Sequence, residues 1–426
     1  MDFQTVILIL SIILVLFLLA IGAPFYVAFL LPSVVVLFGL TSMGGLTLAN
    51  MGSSQIRSFT LIAIPLFLLL GNIMAVCGAT RVLFNFARAF IGWVPGGLGM
   101  AAVIACAMFG TMCGSVVATA MAVGSIAVPE LIKAGYTREQ AAAICACGGT
   151  LGPLIPPSIA FIIIGPILKV SVGDLFLAGI VPGIICMLFL CIAVYFMVRG
   201  KIAVDRHYSW RERGRATLEL LPIVVLPLAI IGTLWGGIAT PTEAAGVAIV
   251  FAVFLARFYF RKFGLKEVKA VLKDTMRTSA AIYCIMIAAV VFGQALGTKG
   301  IPQAAGAAAG EWGLGYTAFM LAFVGVFIVL GCFFDAFILV LVCLPPLLPA
   351  VLTYPELANN LVPFGVIFLL LTNIGMITPP VGIGLYATAA AADADTMGTI
   401  RQIPLLLIAM TVTTLLLVFV PSLCIY

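Results

Sequence analysis

Charge is what this sequence most lacks. Asp, Glu, Lys and Arg make up only 8% of its 426 residues, against about a quarter in an ordinary soluble domain. Hydrophobic residues reach 64%. That leaves too little polar surface to cover a water-soluble globule, so fibrous, disordered, disulfide-framework and nucleic-acid-binding classes are excluded together. The chain has a single histidine, His207, so a two-histidine metal centre cannot be built. It contains no Gly-x-x-x-x-Gly-Lys-Ser/Thr run and therefore no nucleotide loop of that kind. Glycine clusters such as Gly96-Gly97-Leu98-Gly99 read as packing or turn glycines. The 11 cysteines are scattered through apolar runs and are expected to be small buried residues. The N-terminus lacks a basic region and its apolar run is too long for a cleavable signal peptide.

What is present is a series of long uncharged stretches. None of the residues between Asp2 and Arg57 is charged, and further gaps cover 58–80, 89–129, 140–168, 175–198, 220–242, 278–298, 312–334, 336–355, 357–392 and 402–426. One crossing takes roughly 20 apolar residues, so the gaps hold roughly ten to fourteen crossings or half-crossings. The runs are too long for the strands of a membrane β-barrel and do not alternate. The expected fold class is therefore an all-α polytopic membrane protein. Six of the 21 Lys and Arg lie in 199–215 and seven in 257–277. Both basic stretches are placed on the cytoplasmic side, where they set topology and contact lipid headgroups. The stretch 216–256 then crosses out and back.

The chain also repeats itself faintly. Pro156-Pro157 recurs as Pro379-Pro380, Pro129-Glu130-Leu131 as Pro355-Glu356-Leu357, Trp93 as Trp312, and Gly71-Asn72 as Gly293-Gln294. All four pairs share nearly one offset, close to half the chain. Residues 1–200 and 216–426 are read as two repeats joined by a basic loop at 201–215. An inverted relation would give each half an odd number of crossings and put both termini outside, the recurring plan of secondary transporters.

Hydrophobic segments broken at matching places in two halves point to a transport site. Gly148–Ser158 and Thr372–Pro380 are such segments. Tandem proline removes two N–H donors, which frees upstream carbonyls to hold a cation in a protein-lined cavity. Ser158, Thr372, Asn373 and Thr378 add side-chain oxygens. Each half also has an earlier small-residue break, at Gly110–Thr119 and at Gly331–Asp335. Asp335 is the only charged residue from Trp312 to Tyr354, and an intramembrane carboxylate is a functional residue by default. An anionic substrate calls for a cation. Lys299, in the glycine-rich run Gly297–Pro302, is the first choice and Arg57 the second.

Several motifs in order then carry a resemblance. They are Ala134-Gly135-Tyr136-Thr137-Arg138-Glu139-Gln140-Ala141, Ile155-Pro156-Pro157-Ser158-Ile159, Ser171 through Gly183, Gly236-Gly237-Ile238-Ala239-Thr240-Pro241-Thr242-Glu243-Ala244, and Ile374 through Gly382. Over nearly its whole length the sequence resembles the large membrane (M, DctM-type) subunit of the tripartite ATP-independent periplasmic (TRAP) transporters, dicarboxylate type. The resemblance implies inverted repeats with re-entrant hairpins and broken helices. It also implies a scaffold and an elevator-type transport domain, the latter built from roughly 96–198 and 312–400. It implies Na⁺ as coupling ion and no organic cofactor. A first sodium site is expected around Ser115, Gly152, Ile155 and Pro157, and a second around Gly331, Asp335, Gly375 and Thr378, with Ser158, Lys299 and Arg57 towards the substrate. Cys113 and Val116 stand where hydroxyl residues are common in the family.

The partners implied are a separate small membrane (Q) subunit of about four helices, a periplasmic substrate-binding protein, the lipid bilayer and an organic acid, with no nucleic acid. The setting is the bacterial inner membrane. The expected activity is Na⁺-coupled uptake of a small organic anion such as a C4-dicarboxylate, sugar acid, keto acid or sulfonate. A stand-alone Na⁺- or H⁺-coupled symporter or antiporter of related fold remains the alternative. An anion channel is disfavoured because no filter-like ring signature is present. A membrane enzyme is weakest, because one histidine and sparse carboxylates assemble no catalytic set.

Overall fold

A computed structural model describes residues 21–40, 50, 59–198, 202, 204–297, 300, 303–304, 307 and 313–426, with 10–11, 13–15 and 17–18. Among the described residues there is no β-strand. Among those residues five helices are long and apolar enough to cross a membrane, three bent pairs are each long enough to make a broken span or a re-entrant loop, and five shorter apolar helices remain. That total falls inside the range set by the uncharged gaps.

The elements are α1 (Phe25–Leu40), α2 (Ala63–Cys77), α3 (Ala79–Ile91), α4 (Gly97–Cys113), α5 (Val116–Lys133), α6 (Arg138–Gly149, continued by Leu151–Leu154), α7 (Ile159–Leu168) and α8 (Val172–Val198) in the first half. The second half holds α9 (Trp210–Trp235), α10 (Pro241–Phe254), α11 (Leu265–Gly297), α12 (Tyr316–Gly331), α13 (Ala336–Val351), α14 (Val362–Gly375), α15 (Ile383–Ala391), α16 (Thr396–Gln402) and α17 (Pro404–Phe419).

Local chemistry sets the starts and breaks. Thr137 with Gln140, Ser209 with Glu212, and Thr240 with Glu243 form capping boxes at α6, α9 and α10, each satisfying two orphan N–H donors. Between α2 and α3 the axis bends by 71° at Gly78, which takes φ 93°, a left-handed conformation open to glycine without a Cβ penalty. The α6–α7 pair bends by 46° at the Pro156-Pro157 junction. Both tandem-proline bonds, Pro156-Pro157 and Pro379-Pro380, are cis.

Two groups of helices pack together. α1 and α2 pack on α11, α2 packs on α10 and α10 on α9, with α3 laid against both α9 and α4. In the other group, α4 and α5 form a hairpin packed on α6, and α12 packs on α14. α15 lies on α5 and α6, while α8 lies on α14 and α17, so elements of the two halves interleave.

The basic stretch at 257–277 is largely helical. Its Lys266, Lys269, Lys273 and Arg277 ride on α11. That helix has 33 residues and a length of about 50 Å, longer than the roughly 30 Å hydrocarbon core. Its basic turns therefore extend beyond the apolar zone. Cysteine burial needs correcting: Cys284 is exposed and Cys332 and Cys343 are half-buried, while the other eight are buried. Burial within the protein is not required of an apolar side chain in lipid. No pair is joined.

Candidate functional site

The first helix break folds α4 and α5 into a hairpin whose tip is Gly114-Ser115. Gly114 takes φ 61°, and a Cβ there would lie 3.0 Å from the Ile159 nitrogen and 3.4 Å from the Pro157 carbonyl oxygen. The tip backbone is thus laid directly on the tandem-proline junction. Ser115 caps α5, its hydroxyl accepting from the Ala118 N–H at 3.5 Å. One turn before the tip, Gly110 touches Gly152. A Cβ on Gly110 would sit 2.3 Å from the Gly152 Cα. A Cβ on Gly152 would sit 2.7 Å from Thr119 Oγ1 and 3.4 Å from the Ser115 carbonyl oxygen.

The second half builds the same junction. A Cβ on Gly331 would lie 2.8 Å from the Gly375 Cα, and one on Gly375 would lie 2.6 Å from the Gly331 Cα. The Val381 N–H donates to the Cys332 carbonyl at 3.0 Å, tying hairpin tip to broken helix. Asp335 caps α13, its carboxylate accepting from the Phe337 N–H at 3.0 Å. Thr378 donates its hydroxyl to the Ile374 carbonyl at 2.6 Å.

The junctions meet. A cavity of about 40 Å³ is lined by Ser115, Asp335, Asn373, Pro153, Phe337 and Met376, among others. Ser115 and Asp335 occupy matching repeat positions, and each ends a helix N-terminus in this cavity. Asn373 is fully buried and donates from Nδ2 to the Thr150 carbonyl at 3.0 Å across a separation of 223 residues. That is also the separation of the two proline pairs. A contact between equivalent residues places the crossing of the broken helices at the axis relating the halves.

Two buried oxygens stand out at the junctions. Asn373 Oδ1 has no hydrogen-bond partner, and Thr119 Oγ1 has none beyond the weak thiol of Cys113 beside it. A buried oxygen without a donor is costly, and a hard cation coordinated there would offset the cost. Among the described residues no cluster of three or more His, Cys, Asp or Glu exists, so a cation here would be held mainly by carbonyl and neutral side-chain oxygens.

The comparisons with known proteins decide the family. The sequence model of the family described as "Tripartite ATP-independent periplasmic transporter, DctM component" matches residues 12–423. The chain belongs to this family. It is 35% identical over 389 residues to the C4-dicarboxylate TRAP transporter large permease protein DctM of Pseudomonas aeruginosa, covering 91% of this chain and 90% of that protein. It is 32% identical over 417 residues to the ectoine TRAP transporter large permease protein TeaC of Halomonas elongata, covering 96% of each. The crystal structure of the YdaH transporter of Alcanivorax borkumensis aligns with a TM-score of 0.60 at 12% identity, over 87% of this chain and 86% of that one. That likeness speaks for the fold alone. This TRAP large permease is thus a multi-pass, all-helical transporter subunit and not an enzyme.

Of the residues singled out in the sequence, Ser115, Gly152 and Pro157 lie together at the first junction. Ile155 packs beside them against Gly183. Gly331, Gly375 and Thr378 lie together at the second, and Asp335 turns into the shared cavity. Ser158 is fully buried and caps α7, accepting from the Phe161 N–H at 3.2 Å. Arg57 and Lys299 lie outside the described residues. Gly110, Gly114 and Thr119 fall within the small-residue break at Gly110–Thr119 but are not among the residues expected at either sodium site. The signal for Gly110 was available: it precedes Gly331 by the repeat offset.

Proposed function

We propose that this chain is the large permease subunit of a TRAP transporter that takes up a small organic acid anion across the bacterial inner membrane, driven by Na⁺. The observation carrying the proposal is the matched pair of hairpin–helix junctions that open on one cavity between Ser115, Asp335 and Asn373. The first Na⁺ would sit among Ser115, Gly152, Ile155 and Pro157, with Thr119 Oγ1 as a further oxygen. The second would sit among Gly331, Asp335, Gly375 and Thr378. Three helix N-termini, of α5, α7 and α13, converge near these junctions and favour a carboxylate by their dipoles. Ser158, Lys299 and Arg57 are proposed to face the substrate. The relatives' named substrates, a C4-dicarboxylate and ectoine, both carry a carboxylate group.

Coupling follows from charge. Each Na⁺ offsets part of the substrate's negative charge, and its inward passage gains about 2.3 kcal/mol per 100 mV. The two hairpins and broken helices, from roughly 96–198 and 312–400, would move as a transport domain against a scaffold built on α1, α2 and α9–α11. A small membrane subunit would pack on that scaffold, and a periplasmic binding protein would deliver the substrate.

The test is uptake of a labelled organic anion by proteoliposomes holding this chain, its small membrane partner and the cognate binding protein. Accumulation under an inward Na⁺ gradient, absent with K⁺ or without the binding protein, is the expected result. Accumulation driven by a proton gradient with no need for Na⁺ would overturn the coupling. Uptake by the chain alone would favour a stand-alone symporter.

A further inference from the structure

A large cavity away from the junctions has a different character. It measures about 860 Å³ and lies between the end of α2, at Val76, and the turn from α10 to α11. Its lining includes Arg257, Arg261 and Lys262, all exposed. Among the described residues no carboxylate forms an ion pair with any of the three, although six such pairs occur elsewhere. The one acidic residue in the lining, Glu267, is committed to capping α11, accepting from the Gly264 N–H at 2.9 Å.

Backbone geometry folds Lys262 back over α2. α10 ends in a π-helical turn over Leu255–Tyr259. Arg261 then takes φ 54°, and the Lys262 N–H donates to the Ala256 carbonyl at 3.1 Å. This reversal brings the Lys262 ammonium over the α2–α3 bend, 3.6 Å from where a Cβ on Gly78 would be. The cavity has an apolar flank as well. Val76, Val253 and Leu265 line it and are exposed, and Phe258, which follows the lining residue Arg257, is 64% exposed. The basic stretch places the site on the cytoplasmic face.

We infer that this cavity binds the headgroup of an anionic phospholipid of the cytoplasmic leaflet, with Arg257, Arg261 and Lys262 holding the phosphate and the apolar flank taking the first part of the acyl chains. Unpaired cations beside exposed apolar surface suit an amphiphile. A free phosphate would use only the cations and leave the flank bare. Such a lipid would bridge the α2–α3 bend to the start of α11, pinning two elements of the same helix group.

Native mass spectrometry of the delipidated full-length chain, titrated with phosphatidylglycerol or phosphatidylcholine, tests this. The wild type should bind phosphatidylglycerol in preference to phosphatidylcholine. The variant Arg257→Gln/Arg261→Gln/Lys262→Gln should weaken phosphatidylglycerol on the order of a hundredfold, from about 1 kcal/mol per cation. The variant Arg206→Gln/Arg211→Gln/Arg215→Gln, with equal loss of charge, should retain it. Unchanged binding in the first variant, or equal loss in both, overturns the site. Displacement of the lipid by millimolar inorganic phosphate assigns it to a soluble anion instead. Recovery of the site blocked by a tightly held polypeptide assigns it to a protein partner. Should the triple variant fail to stay monodisperse, Lys262→Gln alone should weaken binding about fivefold, and no change would overturn the assignment.

Discussion

The two hairpins share one plan and are held in different surroundings. The first is clasped by the neighbouring helices: a Cβ on Gly71 of α2 would lie 2.7 Å from the Cys113 Cα at the hairpin tip. The repeat counterpart of Gly71 is Gly293 on α11, which has nothing within 4 Å of where its Cβ would be. It lines a cavity of about 460 Å³ that reaches Leu341 and Pro345 of the second hairpin. The base differs too. Glu130 pairs with Arg88 and Lys133, whereas no cation pairs with its counterpart Glu356 among the described residues. One hairpin is closed against its support and the other stands off. If the transport domain moves against the scaffold as proposed, exchanging these two environments is what passing from one side to the other would mean.

Packing diverges in the same way while the junctions do not. The first half brings α4 onto α6 with small residues, Gly148 lying against Cys106. The second half fills the same interface with rings: Phe323 meets Phe319, Phe327, Phe364 and Phe368 within 4.4–6.1 Å between centroids. Yet Gly110 on Gly152 is repeated by Gly331 on Gly375, and each tip ends in a capping residue, Ser115 or Asp335.

The largest expected effects come from breaking what the halves share. Gly110→Ala should cost about 3 kcal/mol and Gly331→Ala about 2 kcal/mol, because each drives a methyl group into backbone, more closely at Gly110 than at Gly331. Both should stop uptake. Thermal unfolding of the purified variants, with uptake in proteoliposomes, checks the order. A reversed order would mean that the first junction relaxes more easily than its geometry implies.

What differs between the halves gives the next test. Gly71→Ala should lower stability by about 1–3 kcal/mol through the same kind of overlap. Gly293→Ala should leave it unchanged or raise it by up to about 1 kcal/mol, as alanine replaces glycine within a helix. If α11 must later close on the second hairpin, Gly293→Ala should nonetheless slow transport. Equal melting temperatures for the two variants would remove the asymmetry.

The smallest effect is at the anchored base. Burial pushes the Asp205 carboxyl up, but the Arg88 hydrogen bond at 2.6 Å, the Arg206 amide and the Arg88 charge outweigh it and hold the carboxyl below its ordinary value. A depressed folded-state value means stability that is fully present above the unfolded value and is lost as pH falls through the folded one. Asp205→Asn should therefore cost about 1 kcal/mol or less at neutral pH, as for partly exposed pairs, and the difference from wild type should vanish in acid. A constant difference across pH 3–7 would show that the ion pair is not its source.

Much of this is legible in the sequence. Uncharged gaps bounded the number of crossings and half-crossings, since lipid leaves the backbone few choices. Tandem prolines and the lone Asp335 marked the breaks, because both are expensive in a membrane unless they line a site. The Gly110–Gly152 contact was not legible, since a glycine in an apolar helix looks the same whether it packs against backbone or against lipid. Nor could the sequence show that Thr150 and Asn373 meet at the axis, because a repeat offset carries no distance. That the cations of 266–277 ride on α11 was not legible either, since charge marks the membrane boundary and does not mark where a helix ends.

The most direct test of the account is the Na⁺ dependence of uptake in wild type, Ser115→Ala and Asp335→Asn. The neutral first junction should lose only a cap, about 1 kcal/mol, and shift the Na⁺ requirement by less than about tenfold. The charged second junction should lose its carboxylate: Asp335→Asn should need Na⁺ on the order of a hundredfold higher, as when a hydrogen-bonded charge loses its partner, while remaining folded. Uptake by Asp335→Asn with an unchanged Na⁺ requirement would contradict the assignment of the second site and, with it, the unequal division of charge between the two halves.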